Sequence, residues 1–314
     1  MQPTRRCVQP GGTLAPVPAP RRSCLSVPGS SEKMLVKART LAADEVVIDL
    51  EDSVAPPVKA QARAAVTAAV AQEDWGQRAV AVRINGPATR WCHRDVIDVV
   101  AGAGDGLASL VVPKVESPGE LQFVDRLAGM VEQEVGRAAP VGLQALIETA
   151  TGLRHIHAIA HASPRLEALI VGYADLSASL GLPPEEAHTG DRWHHVLATV
   201  LIAARDAGLQ AVDGPYLAIK DLEGFRAAAQ RAHALGYDGK WALHPTQIDV
   251  LNDLFAPSPE ELEQARGVLD ALEAAERGEG GRGAVMHEGT MIDEASRKLA
   301  AQVVARAAAA HRDQ

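Results

Sequence analysis

Two carboxylates, Glu148 and Asp175, each stand just beyond a short apolar run, in Ile147-Glu148-Thr149 and Gly172-Tyr173-Ala174-Asp175. A converging pair of this kind suits Mg2+, which takes oxygen ligands and keeps its other positions for water and substrate oxygens. The plainer alternatives are a helix cap for Glu148 and a turn for Asp175. No cysteine cluster competes for a transition metal. Arg83 ends another apolar run. Its planar fork can clamp a substrate carboxylate, or it can pair internally with Asp49 or Glu51. Lys114, in Pro113-Lys114-Val115-Glu116, is balanced between a structural ion pair and substrate contact. A Schiff base would need a desolvated lysine, and the acids of Asp49-Leu50-Glu51-Asp52 argue against one. Those acids can orient Arg83 and Lys114 or hold metal-bound water. His244, fixed by Pro245, reads as structural, and His194 and His195 fall on different sides of a helix.

Such residues need a frame that delivers them to one place. From Ser23 onward, apolar β-branched runs alternate with Ala-rich amphipathic stretches. The runs are Cys24–Val27, Val46–Leu50, Ala79–Ile84, Leu110–Pro113, Gly142–Ile147, Leu166–Val171, Leu209–Val212 and Trp241–Leu243. Continuous runs like these read as strands buried on both faces. Helices are expected between them, at Lys59–Ala71, Pro118–Val135, Gly152–His161, Arg192–Ala207 and Leu222–Leu235. Eight such units predict an α/β fold, a (β/α)8 TIM barrel over residues 22–256, with its chemistry at the carboxyl ends of the strands. No Gly-rich dinucleotide fingerprint follows the first strand. Residues 257–314 are expected to form a helical arm, with a helix at Glu260–Ala275, the connector Gly278–Gly283 and a final Ala-rich helix. The arm is either a lid or a frayed tail.

Composition narrows the partners. The 314 residues carry a net charge of -9, which disfavours nucleic acid, and no apolar run is long enough to span a membrane. Cys7, Cys24 and Cys92 are sparse and odd in number, which fits a reducing compartment, so a cytoplasmic location is expected. Residues 1–21, rich in Pro, Gly and Arg and without an apolar h-region, are expected to be a disordered leader rather than a signal peptide.

The strand ends, taken in order, carry a resemblance. They include Arg22-Ser23-Cys24-Leu25-Ser26-Val27-Pro28-Gly29, Asp49-Leu50-Glu51-Asp52-Ser53-Val54 with Lys59, and Val82-Arg83-Ile84-Asn85. Val112-Pro113-Lys114-Val115-Glu116-Ser117, Ile147-Glu148-Thr149-Ala150 and Asp175-Leu176-Ser177-Ala178-Ser179 follow. Gly239-Lys240-Trp241-Ala242-Leu243-His244-Pro245 and Gly289-Thr290-Met291-Ile292-Asp293 complete the series. The chain resembles the citrate lyase beta-subunit/malyl-CoA lyase branch of the HpcH/HpaI-type aldolases. The resemblance implies reversible, Mg2+-dependent cleavage of a 3-hydroxyacyl-CoA such as malyl-CoA to acyl-CoA and a 2-oxo acid such as glyoxylate. It implies that Glu148 and Asp175 bind Mg2+, that Arg83 binds the oxo-acid carboxylate, and that Pro28, Lys33 and Lys37 contact coenzyme A. It also implies that Asp293 acts as general base in a neighbouring subunit's site, in a homotrimer or homohexamer. Two other activities fit the same scaffold, a malyl-CoA thioesterase and a citrate lyase beta-type subunit of a carrier complex. Ala174 stands where citrate-lyase-like members carry an acid, and Glu294-Ala295 replaces an apolar residue and Pro after Asp293. The first departure favours the malyl-CoA type.

Overall fold

In the computed structural model, which describes residues 19–182, 191–277 and 283–310, eight parallel strands close into a barrel. They are β1 (Ser23–Pro28), β2 (Glu45–Asp49), β3 (Ala79–Arg83), β4 (Ser109–Val112), β5 (Gly142–Ile147), β6 (Leu166–Val171), β7 (Gln210–Asp213) and β8 (Gly239–Ala242). Pairing of β8 with β1 completes the ring. Strand β8 begins at Gly239 and Lys240, which an apolar pattern passes over, two residues before the expected Trp241, while β7 begins one residue after the expected Leu209.

Alternation along the strands divides the molecule into two cores. Inside the barrel lie Cys24, Val47, Ala81, Val111, Leu146, Ala168, Ile170, Val212 and Trp241. The intervening residues, such as Val46, Ile48, Val82 and Leu169, face a larger core shared with the helices. The period of two has a further consequence. In β2 it aligns Glu45, Val47 and Asp49 on the inner face, and along β5 it aligns Gln144, Leu146 and Glu148. Polar residues therefore fill both mouths of the barrel while its middle stays apolar.

The outer layer contains α1 (Glu32–Ala38), α2 (Lys59–Gln72), α3 (Cys92–Gly102), α4 (Pro118–Val135), α5 (Ala150–Arg154), α6 (Ile156–Ala160), α7 (Tyr173–Ser179), α8 (His194–Asp206), α9 (Leu222–Leu235) and α10 (Ile248–Phe255). Helix α4 shows why its limits are readable. Ser117 and Glu120 form a capping box, Pro118 starts the first turn, and Gly136 ends the helix in the left-handed region. The single helix expected over Gly152–His161 is instead split into α5 and α6 at His155, whose ring bonds the Glu116 carbonyl at 2.8 Å.

At the amino-terminal mouth, Arg21 belongs to the barrel rather than to a leader, since its Nε donates to Glu45 Oε1 at 3.0 Å. The same guanidinium bonds Gln210 and Glu167, and Gln144 Nε2 donates to Glu45 Oε1 and Ser109 Oγ, both at 2.8 Å. Residues 1–18 lie outside the described residues.

The chain divides into two compact units, the barrel Arg21–Ala256 and a second containing Pro257–Gln314. In the second unit, α11 (Pro259–Arg277) packs against α12 (Glu294–Ala310). Between them lies an unanticipated hairpin, β9 (Val285–His287) and β10 (Thr290–Ile292), which turns at Glu288 and Gly289 with φ of 47° and 80°. Residues 278–282 of the expected connector lie outside the described residues. No helix among the described residues is long and apolar enough to cross a membrane.

Glu45 is wholly buried and forms an ion pair with Arg21. Arg21→Met should lower the unfolding free energy by ~3–5 kcal/mol in urea titrations, because it strands a buried carboxylate. The double variant Arg21→Met/Glu45→Leu should lose less than the single one. An equal or larger loss would show that the pair is not coupled.

Candidate active site at the carboxyl-terminal mouth

The register pairs Asp49 with Arg83 on neighbouring strands, and their side chains meet in a two-point bridge. Arg83 Nε and Nη2 donate to Asp49 Oδ1 and Oδ2, each at 2.7 Å. Asp49 also accepts from the backbone N–H groups of Glu51 and Ser53, which turns the chain tightly after β2. Burial pushes the Asp49 carboxyl up, but the Arg83 hydrogen bonds and charge outweigh it and hold the group below the ordinary carboxylate range. Arg83 Nη1 lies 3.1 Å from Glu51 Oε2, and the guanidinium sits 5.8 Å from the Trp241 ring centre. The fork is thus aimed by Asp49, with one edge committed to it.

Glu51 takes the second cation of the mouth. Lys114 Nζ donates to Glu51 Oε1 at 2.5 Å and lies 3.5 Å from Asp52 and 3.9 Å from Asp175. Lys114 adopts φ of 53°, a left-handed conformation uncommon for a residue with a side chain. That backbone lets its N–H donate to Glu148 Oε1 at 2.8 Å. Lys59 fixes the acidic turn from below, donating to the carbonyls of Leu50 and Glu51. Asn85 Nδ2 also donates to Leu50 O and to the buried Asp95, a bracket that sequence reasoning did not identify.

Glu148 follows β5, and Asp175 lies in the first turn of α7, just after the adjacent strand β6. Glu148 is 2% exposed, while the Asp175 side chain is 39% exposed. Thr149, not Glu148, caps α5. Room for the Glu148 side chain exists because residue 172 is glycine. A Cβ there would stand 2.4 Å from Glu148 Cβ and 2.5 Å from its Oε2. Burial, then the charges of Glu51 and Asp175, raise the Glu148 carboxyl from 4.5 to about 8, against the opposing pull of Lys114 and Arg83.

The donor set tests the fit of a metal. With every carboxyl ionised, as a bound cation would require, Asp49, Glu51, Asp52, Glu148 and Asp175 would supply five negative charges against the three positive ones of Lys59, Arg83 and Lys114. The formal excess of two matches one divalent cation, and the oxygens are the hard donors that Mg2+ takes. Among the described residues no group of three or more His, Cys, Asp or Glu could hold a metal ion, so the expected metal pair would be Glu148 and Asp175 alone.

The model of one family, HpcH/HpaI aldolase/citrate lyase, matches residues 22–245. The chain belongs to this family. Among its relatives, an L-malyl-CoA/beta-methylmalyl-CoA lyase of Cereibacter sphaeroides is 41% identical over 309 residues, covering 93% of this chain and 96% of that one. A (3S)-malyl-CoA thioesterase of Cereibacter sphaeroides is 37% identical over 292 residues, covering 92% of this chain and 95% of that one. The structure of protein CitE from Mycobacterium tuberculosis, in complex with magnesium, acetoacetate and coenzyme A, superposes with a TM-score of 0.72 at 32% identity. It covers 92% of this chain and 98% of that one.

In this HpcH/HpaI-type barrel the other expected site residues fall on further elements. Pro28 ends β1, and Lys33 and Lys37 are exposed on α1. A groove of about 620 Å3 between α1 and α2 adjoins them, lined by Gly29, Val36, Ala62 and Trp75 among others. Asp293 is in the second unit, exposed at the start of α12, where its Oδ1 accepts from the N–H groups of Ala295 and Ser296. His244 caps the turn after β8, with Nδ1 accepting from the Thr246 N–H at 3.3 Å.

The displaced Glu148 carboxyl has a consequence for stability. The unfolded chain releases this proton near 4.5, whereas the folded chain keeps it to about 8. The folded state therefore binds more protons between these values, and metal-free stability falls as pH rises through that window. Urea titrations in EDTA from pH 5 to 8 should show this fall, and Glu148→Gln should flatten it. Parallel pH profiles for the two proteins would place the titration elsewhere.

Proposed function

We propose that this protein is a Mg2+-dependent CoA-ester lyase of the cytoplasm. It reversibly cleaves a 3-hydroxyacyl-CoA, of the malyl-CoA, beta-methylmalyl-CoA or citramalyl-CoA type, into an acyl-CoA and a 2-oxo acid such as glyoxylate. The observation that carries this reading is the buried Glu148 beside Asp175 at adjacent strand ends, within a mouth that has two negative charges in excess. Bound there, Mg2+ would act as a Lewis acid on the oxo-acid carbonyl.

The protein's own residues supply the rest. Glu148 and Asp175 hold the cation, and Asp49 holds Arg83 in the orientation from which its remaining N–H groups meet the oxo-acid carboxylate. Because the guanidinium is already fixed, substrate binding need not order it. Lys114 adds positive charge beside the carboxylates. Pro28, Lys33 and Lys37 contact coenzyme A, the two lysines facing its phosphates from the exposed side of α1. In the synthetic direction a carboxylate removes the proton beside the thioester, and Asp293 takes that role. Its hydrogen bonds among the described residues fall on Oδ1 and tie that oxygen to the first turn of α12, so Oδ2 accepts the proton. Asp293 acts in trans in a homotrimer or homohexamer, where closure of the second unit over a neighbour excludes water.

The thioesterase relative keeps one other reading open, and a single assay decides between them. With malyl-CoA and Mg2+ the protein should form glyoxylate and acetyl-CoA, and EDTA should stop the reaction. Glu148→Gln and Asp175→Asn should each lower kcat on the order of 10^3-fold, the equivalent of ~4 kcal/mol of charge stabilisation, without unfolding the barrel. Malate with free CoA would instead identify a thioesterase. No turnover would point to a subunit of a carrier complex.

The trans assignment has its own test. Asp293→Asn and Glu148→Gln should each be nearly inactive alone. Co-assembled, they should regain part of the activity, since some sites then combine an intact metal pair with an intact base. Mixed oligomers verified by mass but no more active than their parents would place Asp293 outside a neighbour's site.

A further inference from the structure

Outside the barrel wall, the ends of β6 and β7 and the strand β8 meet in a buried polar knot. Val212 and Trp241 point into the barrel, so their neighbours Asp213 and Lys240 point outward. Both are 1% exposed. Lys240 Nζ donates to Asp213 Oδ2 at 2.6 Å and to the Gly214 carbonyl at 2.6 Å. The Tyr173 hydroxyl donates to Asp213 Oδ1 at 2.5 Å, and the Gly214 N–H donates to the same oxygen at 2.9 Å. The Tyr173 ring packs edge-on against Trp193, with centroids 5.0 Å apart. Gly214 fits because it lacks a side chain: a Cβ would stand 2.0 Å from the Val171 carbonyl oxygen and 3.0 Å from Tyr173 Cδ2. A cavity of about 240 Å3 beside the knot is lined by Tyr173, Trp193, Tyr216 and Lys240 among others.

A buried ion pair adds little stability over apolar packing, so its presence calls for another reason. Tyr173 opens α7, and Asp175 lies in the same first turn. The N-cap of α7 is Gly172, and no side chain caps the helix there. A side chain at that position is ruled out by the Glu148 carboxylate packed against it. The requirement that makes room for one carboxylate thus removes the usual anchor from the turn that carries the other. The Tyr173 hydroxyl, held by Asp213 and Lys240, supplies the missing anchor.

We propose that Tyr173, clamped by the Asp213–Lys240 pair, is a positioning residue that fixes the first turn of α7 so that Asp175 faces Glu148, and that it thereby sets the affinity for the divalent cation. This inference rests on the metal reading of Glu148 and Asp175. Tyr173→Phe keeps the ring and removes only the hydroxyl. Tyr216→Phe, which breaks a tyrosine–aspartate bond to Asp221 beside the same cavity, serves as control.

Two measurements on the full-length protein separate the steps. In EDTA, amide hydrogen exchange over residues 174–177 should quicken in Tyr173→Phe and stay unchanged in Tyr216→Phe. With Mn2+ as the probe, Tyr173→Phe should bind about 10-fold more weakly or worse, the usual cost of losing a partner behind a metal ligand. Its kcat should recover as the metal is raised to saturation, which a general loss of structure would not allow. Unchanged exchange, unchanged Mn2+ affinity, or an equal effect of Tyr216→Phe would overturn the proposal. If Asp175→Asn bound Mn2+ like the wild type, the metal reading would fail and this inference with it. The exchange result would still say whether the clamp holds the turn, so the two failures remain distinct.

Discussion

The crowding of five carboxylates at one mouth of the barrel is the constraint to which the surrounding structure answers. Like charges in a partly buried site repel strongly, and each acid needs a partner or a proton. Asp49 is neutralised by the Arg83 bridge, Glu51 by Lys114, and the turn between them by Lys59. Glu148 is the residue for which this allocation falls short. It is nearly inaccessible, accepts one backbone N–H, and holds its proton to about pH 8. Glu148 is thus the carboxylate left short of positive charge, and the nearby charge of Asp175 adds to the effect of its burial.

The barrel makes such crowding tolerable because its strands are rigid and closed. The middle of the interior is apolar, and each mouth is polar in its own way. The amino-terminal mouth is filled by Arg21 among Glu45, Gln144, Ser109 and Gln210, which hydrogen-bond one another while Glu45 Oε2 and Gln144 Oε1 stay buried without a hydrogen-bond partner. The carboxyl-terminal mouth is instead built from Asp, Glu, Lys and Arg side chains. Stability and function thus occupy opposite ends of one structure, as parallel barrels generally arrange them. Membership of the HpcH/HpaI aldolase/citrate lyase family fits this division, since the family match spans the barrel.

Small residues have a specific part in the arrangement. Gly172 and Gly214 end neighbouring strands, and at each a single methyl group would collide with atoms that define the site. Gly172 admits the Glu148 side chain, and Gly214 admits the Val171 carbonyl and the Tyr173 ring. Because glycine cannot cap a helix with a side chain, the turn bearing Asp175 relies on longer-range bonds from β7 and β8. Packing at one carboxylate and anchoring of the other are therefore coupled through backbone geometry.

Much of this was legible in the amino-acid order alone. Continuous apolar runs separated by Ala-rich stretches determine eight buried parallel strands, since each run reflects burial on both faces, a local property. The same pattern places Asp49, Arg83, Glu148 and Asp175 at strand ends, and thus on one rim. Alternation could also have located the polar layer of Glu45 and Gln144, because both keep step with the inner face. Which acid serves which cation was decided only by the tertiary structure. Arg83 could have paired with Asp49 or Glu51, and the β2–β3 register chose Asp49 for the two-point bridge. Lys240 fell outside the expected run Trp241–Leu243, and only the structure shows it buried against Asp213, with Tyr173 behind it. The break at His155, the left-handed Lys114 and the β9–β10 hairpin were equally hidden. The first two depend on contacts between residues 39 and 34 positions apart, which exist only once the ring has closed and its register is set, whereas the hairpin is a local pairing.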